Sequence, residues 1–218
     1  IKSIFLYFYS LKYFDILKNY KITILAVNKF HKNKLIKSGV NEEKIKVFNN
    51  PMNFVHDSNV KKSESVVYAG RISKEKGIEE LISAWKKSKL SNFTLYVIGD
   101  GELKSKLENE NVDKNIKFLG RLPNESVLNY IKNAKAVITA TKLYEGQPRL
   151  LCEASSLGTV SIYPSFGGMD EYFPEDYSYS FKQYNYESLK DCITELKNQK
   201  QLQASSNKIM TFVKNQFD

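Results

Sequence analysis

The chain has 218 residues, of which 42% are hydrophobic and 26% are charged, a balance typical of a globular protein with a packed core. Its two cysteines, Cys152 and Cys192, lie forty positions apart and only two histidines accompany them. Neither a disulfide framework nor a zinc site is therefore predicted, and a reducing cytosol is the expected environment.

The net charge of +9 is concentrated at the start of the chain. Residues 1–64 contain 12 lysines and 5 acidic residues, a net charge of +7, which leaves +2 for the rest of the chain. No arginine-rich tract or recognition motif accompanies these lysines, so nucleic acid is not an expected partner.

The opening segment, residues 1–27, is rich in Phe and Tyr. Charged residues interrupt it, among them Lys2, Lys12, Asp15 and Lys18, so it cannot supply the roughly 20 apolar residues of a membrane span. The segment could lie on an anionic membrane surface, where each lysine contributes about 1 kcal/mol. Alternatively, its apolar groups pack on a domain that the sequence does not include. Because the chain does not begin with methionine, we expect that it was cut from a longer protein.

A strand (ITILAV), a helix (NKFHKNKLIKSG) that stops at Gly39, and the run IKVFNN complete the first part of the chain. We interpret residues 1–50 as the remnant of a domain. Residues 51–64 lack periodicity and mix Pro, Asn, Ser and charged residues, so they are predicted to be a linker.

From Ser65 onward, short apolar runs alternate with helical patterns. The runs are SVVYAG, FTLYVIG, IKFLG, KAVITAT and VSIY. Such runs are typical of buried parallel strands, and the helical stretches between them can cross back over the sheet. The pattern predicts an α/β fold, a doubly wound parallel sheet over residues 65–200 with SYSF as a further strand, and a closing helix over residues 201–218.

Two cations follow the first strand of this predicted sheet, in the loop RISKEKG. Ligands of open parallel sheets bind outside the carboxyl ends of the strands. The forked guanidinium of Arg71 and the mobile ammonium of Lys76 together suit a diphosphate. The alternative is that both are solvated loop cations.

The segment EGQPRLLCEASSLG predicts a second anion-binding feature, a helix N-terminus. Pro148 suits the first turn of a helix, which leaves the amides of Arg149, Leu150 and Leu151 available to phosphate. Such an interaction contributes about 0.3 to 1 kcal/mol.

Two glutamates, Glu145 and Glu153, flank the start of this helix eight positions apart. Phosphate would repel a carboxylate, so Glu153 is predicted to accept hydrogen bonds from a ribose diol while Glu145 faces a sugar. Alternatively, Glu145 is an N-terminal helix charge and Glu153 a surface residue. The small and apolar neighbours of Glu153 favour burial, and a buried carboxylate needs partners.

Three motifs in this order resemble those of the retaining glycosyltransferases of family 4. GRISKEKG resembles the family's G-R-x-x-x-x-K-G, EGQPRLLCE its E-x7-E element, and GGMDE its G-G-x-x-E turn. The resemblance implies the GT-B fold, in which two Rossmann-like domains enclose a nucleotide-sugar cleft. Residues 65–200 would be the carboxy-terminal, nucleotide-sugar-binding domain, and residues 1–50 the end of the amino-terminal, acceptor-side domain.

The resemblance also implies roles for individual residues. Arg71 and Lys76 would hold the diphosphate, Glu153 the ribose hydroxyls and Glu145 the donor sugar, with Arg121 beside the base. Glu145, Arg71 and Lys76 would be the catalytic residues. The implied nucleotide-sugar site comprises Arg71, Lys76, Arg121, Glu145, Gly146, Gln147, Pro148, Arg149, Leu150, Leu151 and Glu153.

The implied reaction transfers a sugar, with retention, from a UDP- or GDP-sugar to a glycan or lipid-linked acceptor in cell-envelope polysaccharide biosynthesis. Since the sequence contains no D-x-D pair, we expect no metal and no cofactor, and the cations and backbone amides neutralise the leaving group. The enzyme is expected in the cytoplasm, with the inner face of the cell membrane as a further option. We expect the fragment alone to be inactive without the full amino-terminal domain.

Other functions fit the sequence less well. A dehydrogenase needs G-x-G-x-x-G after the first strand, and only the incomplete GDG occurs, after the second. A serine hydrolase needs G-x-S-x-G, and His31 and His56 lie outside the predicted main domain, so neither is a predicted catalytic base. Two alternatives stay open: a nucleotide- or membrane-binding module without turnover, and a nucleotide-sugar epimerase on the same fold.

Overall fold

The computed structural model describes residues 2–52, 60–111 and 115–217. The chain forms two compact units, Ile1–Pro51 and Met52–Asp218. The boundary between them lies at the start of the predicted linker. Residues 53–59, which are half of that linker and include His56, lie outside the described residues.

The first unit is a β-α-β piece preceded by a helix. Its elements are α1 (Lys2–Asn19), β1 (Ile24–Ala26), α2 (Lys29–Lys37) and β2 (Ile45–Val47). The two strands pair in parallel, with Ile24 opposite Ile45. The Asn28 side chain accepts a 2.8 Å hydrogen bond from the His31 amide, which fixes the start of α2 where the sequence predicts it.

Helix α1 carries apolar side chains on all of its faces. The five consecutive residues Phe5–Tyr9 are each at least 60% exposed, and five positions cover more than one helical turn. Among the side chains of α1 that the structure describes, only Leu17 is buried. A helix that is apolar all round is typical of one covered on several sides. In the described part of the chain, no helix is long and apolar enough to cross a membrane.

The second unit is a six-stranded parallel sheet, as the sequence predicts. Its strands are β3 (Ser63–Ala69), β4 (Thr94–Ile98), β5 (Ile116–Gly120), β6 (Ala134–Ile138), β7 (Val160–Ser165) and β8 (Ser180–Lys182). The strand order is β5-β4-β3-β6-β7-β8, and every pairing is parallel. Its helices are α3 (Ile78–Ser88), α4 (Lys104–Glu110), α5 (Asn124–Asn133), α6 (Arg149–Ser156), α7 (Tyr186–Thr194) and α8 (Gln199–Phe217).

Burial in the second unit follows the predicted pattern. All five residues of β6 are buried, as expected for a strand covered on both faces. Helix α3 buries Leu81, Ile82 and Trp85, whose spacing of one and three positions places them on one face. Each such side chain contributes roughly 1.5–3 kcal/mol when fully buried. The sheet and its helices therefore form a packed scaffold that carries the loops at the strand ends.

The direction of the chain through the sheet reverses at its centre. From β3 the chain moves outward through β4 to β5, whereas β6 pairs on the other side of β3 and leads to β7 and β8. Helix α3 packs beside α7, and α6 packs beside α5 and α8. The loops that leave β3 and β6 therefore diverge, and a crevice opens between them at the carboxyl ends of the strands.

Candidate functional site

Two cavities lie at this crevice, and Gly70 lines both of them. The first, of about 180 Å³, is lined by the loops that follow β3 and β6, and we call it the β6 cavity. The predicted site residues that line it are Lys76, Glu145, Gln147, Pro148, Arg149, Leu150 and Leu151. The second, of about 350 Å³, is the β4 cavity, lined in part by Arg71 and Arg121. Gly146 and Glu153 are not among the residues that line either cavity.

Gly77 brings the loop after β3 into contact with the loop after β6. Its φ is +67°, and a Cβ there would lie 2.0 Å from the carbonyl oxygen of Ala140. A side chain is thus excluded both by the left-handed backbone and by the contact. Because Gly77 directly follows Lys76, this close approach places Lys76 beside the loop that carries Glu145.

Lys76 and Glu145 form an ion pair in the β6 cavity. The Nζ of Lys76 lies 2.6 Å from Oε1 of Glu145, and the two side chains are 27% and 30% exposed. The sequence assigns these residues to different parts of a ligand, the diphosphate and the sugar. Without a ligand their charges neutralise each other, so a ligand must replace or share this contact.

Two of the predicted site arginines, Arg71 and Arg121, are much more exposed than Lys76. The Arg71 side chain is 71% exposed, with Nη1 3.5 Å from Oε1 of Glu75. The Arg121 side chain is 83% exposed, with Nε 3.5 Å from Oδ2 of Asp100. Surface pairs of this kind contribute about 0–1 kcal/mol. Both guanidinium groups can therefore leave their partners at little cost when an anion enters.

The start of α6 differs from the prediction. The helix begins at Arg149, and Pro148 stands before it as the cap, with ψ at 72°. The Arg149 amide donates to the carbonyl of Gln147 and the Leu151 amide to that of Pro148, both at 2.9 Å. The prediction that three amides stay available was wrong for these two, because the turn at Pro148 brings nearby carbonyls within reach. Of the three, the Leu150 amide alone makes no backbone hydrogen bond to another described residue.

Glu153 is half-buried in α6, as its apolar neighbours predict. Its side chain is 20% exposed, and burial raises the pKa of the carboxyl group. Nη2 of Arg149, one helical turn earlier, lies 3.8 Å from Oε1 of Glu153 and opposes that rise. The partner that a buried carboxylate needs is therefore Arg149.

Thr141 is a site residue that the sequence analysis missed. It is 1% exposed, and its hydroxyl donates a 3.2 Å hydrogen bond to Oε1 of Glu145. The same hydroxyl accepts from the Leu143 amide at 3.3 Å, and the Thr141 carbonyl accepts from Nε2 of Gln183 at 3.2 Å. Thr141 therefore fixes the loop that carries Glu145. Its position at the end of the run KAVITAT, at the carboxyl end of a predicted strand, was the available signal.

The glycine pair of GGMDE also has a structural role at this loop. Gly167 has a φ of +71°, and a Cβ there would lie 3.3 Å from Cδ1 of Tyr144 and 3.7 Å from the Glu145 amide nitrogen. The turn therefore packs against the backbone of Tyr144 and Glu145.

Within residues 2–52, 60–111 and 115–217, no group of three His, Cys, Asp or Glu side chains is placed to hold a metal ion. The expectation of a metal-independent reaction stays a prediction.

Comparison with known proteins gives one family and several relatives. Residues 52–210 match the sequence model of the family described as "Glycosyl transferases group 1". The chain is 26% identical over 117 residues to the amylovoran biosynthesis glycosyltransferase AmsD of Erwinia amylovora, covering 52% of this chain and 32% of that protein. It is 31% identical over 128 residues to the putative teichuronic acid biosynthesis glycosyltransferase TuaC of Bacillus subtilis, covering 59% and 31%. The chain thus spans about a third of the length of the curated relatives it matches.

Solved structures share the fold at low sequence identity. Anabaena Alr3699/HepE in complex with UDP and glucose has a TM-score of 0.79 at 18% identity, covering 94% of this chain and 61% of that one. A glycosyltransferase from Rickettsia africae has a TM-score of 0.72 at 19% identity, covering 90% and 59%. The pneumococcal O-GlcNAc transferase GtfA in complex with UDP and GlcNAc has a TM-score of 0.73 at 19% identity, covering 88% and 41%.

Proposed function

Because the chain belongs to the group 1 glycosyl transferases and shares the GT-B fold, we propose that it binds the donor of a sugar-transfer reaction. The donor is a nucleotide-diphosphate sugar, and the acceptor is a glycan or a lipid-linked glycan. The observation that carries the proposal is the placement of the β6 cavity at the sheet's switch point, where Lys76, Glu145 and Arg149 line it together. The names of the relatives, which concern amylovoran and teichuronic acid biosynthesis, support a cell-envelope acceptor.

In this proposal the diphosphate lies between the two cavities, beside Gly70. Arg71 reaches it from the β4 cavity and Lys76 from the β6 cavity. The Leu150 amide at the start of α6 adds a backbone donor. Cationic groups aimed at the diphosphate stabilise the charge that develops as the glycosidic bond breaks, and this lowers the barrier without requiring a metal ion.

Glu145 acts on the donor sugar. When the diphosphate draws Lys76 away, the carboxylate of Glu145 keeps the hydrogen bond from Thr141 and becomes available to a sugar hydroxyl. The acceptor then attacks the anomeric carbon from the face that the diphosphate leaves, which gives retention of configuration. Glu153, positioned by Arg149, accepts from the ribose hydroxyls.

UDP is the first candidate for the nucleotide of the donor. HepE and GtfA, which are among the structurally similar proteins, were solved in complex with UDP. The β4 cavity, with Arg121 at its rim, is the proposed position of the base. GDP is the second candidate, since Asp100 and Arg121 both line that cavity and can form hydrogen bonds with either base.

Isothermal titration calorimetry with UDP, GDP and UMP tests the binding step. We expect UDP or GDP to bind and UMP to bind at least about tenfold more weakly, since it lacks the second phosphate that Arg71 and Lys76 contact. If neither UDP nor GDP binds, the proposal fails. A panel of UDP- and GDP-sugars incubated with the full-length protein then separates transfer to an acceptor from release of a sugar epimer, and binding without turnover identifies a binding module.

The first unit bears on where the reaction takes place. Its lysines suit an anionic membrane surface, whereas the apolar residues on all faces of α1 favour packing against protein. From the lysines we propose peripheral contact with the inner, cytoplasmic face of a membrane, and packing of α1 against protein is the alternative. Flotation with phosphatidylglycerol vesicles tests it: the protein should co-float at low salt and dissociate near 0.5 M salt, and no co-flotation would refute the contact.

A further inference from the structure

The central strand β3 supplies a side chain that is bonded to the loop with the proposed diphosphate cations. Tyr68, the last residue but one of β3, lines the β6 cavity. It is 2% exposed and belongs to the apolar core of the second unit. Its hydroxyl donates a 2.6 Å hydrogen bond to the carbonyl oxygen of Arg71. This hydrogen bond joins the packed core to the first cation of the loop.

The peptide bond that follows Arg71 is held on both sides. On one side, the Tyr68 hydroxyl and the Ser73 amide, at 3.1 Å, donate to the Arg71 carbonyl. On the other side, the Ile72 amide donates at 2.9 Å to the carbonyl of Asp100, in the loop after β4. Of the two donors to the Arg71 carbonyl, Tyr68 comes from the sheet, whereas Ser73 belongs to the same loop. The Tyr68 hydroxyl therefore fixes the orientation of this peptide bond relative to the sheet.

Arg71 thus combines a fixed backbone with a movable side chain. The side chain is 71% exposed, and its contact with Glu75, at 3.5 Å, is weak. The Tyr68 hydroxyl lies 3.4 Å from the position that a Cβ of Gly70 would take, and Gly70 lines both cavities. A side chain that starts from a fixed backbone loses less conformational freedom on binding an anion than one on a mobile loop. The hydroxyl can therefore raise the affinity for a diphosphate without touching it.

The Tyr68 hydroxyl keeps its proton for this hydrogen bond. Burial raises the pKa of Tyr68, and the negative charge of Glu75 raises it further. The neutral phenol is therefore the form present at physiological pH, and it is a hydrogen-bond donor. A phenylalanine at this position would keep the ring in the core and remove the donor that reaches the Arg71 carbonyl from the sheet.

We propose that Tyr68 is a positioning residue for the nucleotide diphosphate, because its hydroxyl fixes the backbone from which the Arg71 guanidinium reaches the second phosphate. Tyr68 acts through Arg71 and makes no contact with the phosphate itself. The inference rests on the proposed function, in which the diphosphate lies beside Gly70 and is held in part by Arg71. It adds a buried residue of the sheet to a set of cations that stand on loops.

Calorimetric titration of the full-length protein with UDP and with UMP tests this role. We expect Tyr68→Phe to weaken UDP binding about threefold to fivefold, the effect of one lost hydrogen bond. UMP binding should change less than about 1.5-fold, because UMP lacks the second phosphate. A purely structural role would lower Tm and leave the ratio of the two affinities as it is in the wild type.

A matched control and a double variant make the test specific. Tyr177 is a buried tyrosine of the same unit whose hydroxyl accepts a 2.9 Å hydrogen bond from the Ser161 amide, and it lines neither cavity. Tyr177→Phe should lower Tm by a similar amount and leave both titrations unchanged. In the background of Arg71→Ala, Tyr68→Phe should weaken UDP binding less than about 1.5-fold, because the cation that it positions is gone.

Three results would overturn the role of Tyr68 and leave the proposed function in place. They are UDP binding by Tyr68→Phe within about 1.5-fold of the wild type, an equal loss of UDP and UMP affinity, and a UDP loss in Tyr177→Phe as large as that in Tyr68→Phe. An undiminished effect of Tyr68→Phe in the background of Arg71→Ala would show that Tyr68 acts without Arg71, which also overturns the proposal. If the wild type binds neither UDP nor GDP, the proposed function itself fails, and the role of Tyr68 fails with it.

Discussion

Replacing Lys76 by Met tests the link between the ion pair in the β6 cavity and nucleotide binding. In the unliganded protein Lys76 pairs with Glu145 at 2.6 Å, and each side chain is about a quarter to a third exposed. Pairs with this exposure stabilise the fold by about 0.2–1 kcal/mol. A charged hydrogen bond to phosphate contributes more, about 1.5–3 kcal/mol. Lys76→Met should therefore weaken UDP binding about 10- to 150-fold while lowering the unfolding free energy by about 1 kcal/mol or less.

Glu145→Gln, in contrast, should not weaken UDP binding. The carboxylate competes with the diphosphate for Lys76, so its neutralisation should leave UDP affinity unchanged or raise it up to about threefold. Sugar transfer should nevertheless slow, because the glutamine cannot accept as strongly from the sugar hydroxyl. This combination separates a role on the sugar from a role on the nucleotide.

The chain offers a matched control for both variants. Lys142 and Glu80 form another 2.6 Å ion pair, with side chains 22% and 27% exposed, and neither residue lines the β6 cavity. Lys142→Met should lower stability by a similar amount and change UDP affinity less than about twofold. Calorimetry gives the affinities and thermal unfolding the stabilities. If Lys76→Met binds UDP within twofold of the wild type, or if Lys142→Met weakens binding as much, the diphosphate is not held by Lys76.

Three further variants test other parts of the site. Arg71→Ala should weaken UDP binding about threefold to tenfold with little change in Tm, because its side chain is 71% exposed; an unchanged calorimetric titration would contradict this. Gly77→Ala should lower the free energy of unfolding by at least about 1–2 kcal/mol and reduce Tm by several degrees, because the left-handed backbone and the Ala140 carbonyl both oppose a side chain. An unchanged melting curve would show that the two loops are not in contact. Burial raises the pKa of Glu153, so the folded protein binds its proton more tightly than the unfolded chain does, and the charged form costs stability at neutral pH. Glu153→Gln should thus raise Tm at pH 7.5, by an amount that shrinks as the pH falls through the raised pKa, and it should weaken UDP binding; a lower Tm at neutral pH would refute the assigned environment.

The strands of the second unit could be predicted because they are buried on both faces. A continuous apolar run such as that of β6 is typical of a strand covered by helices on both sides. The start of β3 could not be read in this way, since Ser63 and Glu64 are exposed strand residues and polar side chains carry no hydrophobic signal. The strand therefore begins two residues before the predicted one.

The meeting of the predicted site residues at one edge of the sheet could be predicted from the residues that end the strands, but their contacts with one another could not. Parallel strands place the loops after β3 and β6 at one edge, and this brings the cations and the two glutamates to one region. The contact between Lys76 and Glu145 joins residues 69 positions apart and depends on the pairing of β3 with β6. Likewise, the use of the Arg149 amide in a local turn depends on the backbone angles at Pro148, which residue types do not fix.

The parallel sheet also constrains how the second unit is made in the cell. The central strand β3 is the first of the six to be synthesised, yet Val66 pairs with Ala136, seventy residues later. Parallel pairing admits no hairpin, so the chain must close long loops before it gains these contacts. During translation the apolar β3 therefore leaves the ribosome well before β6 exists, with one edge open to other nascent chains. We expect a ribosome-bound chain that ends before Ala134 to require a holding chaperone, and one long enough for β6 and β7 to have left the ribosome to release it.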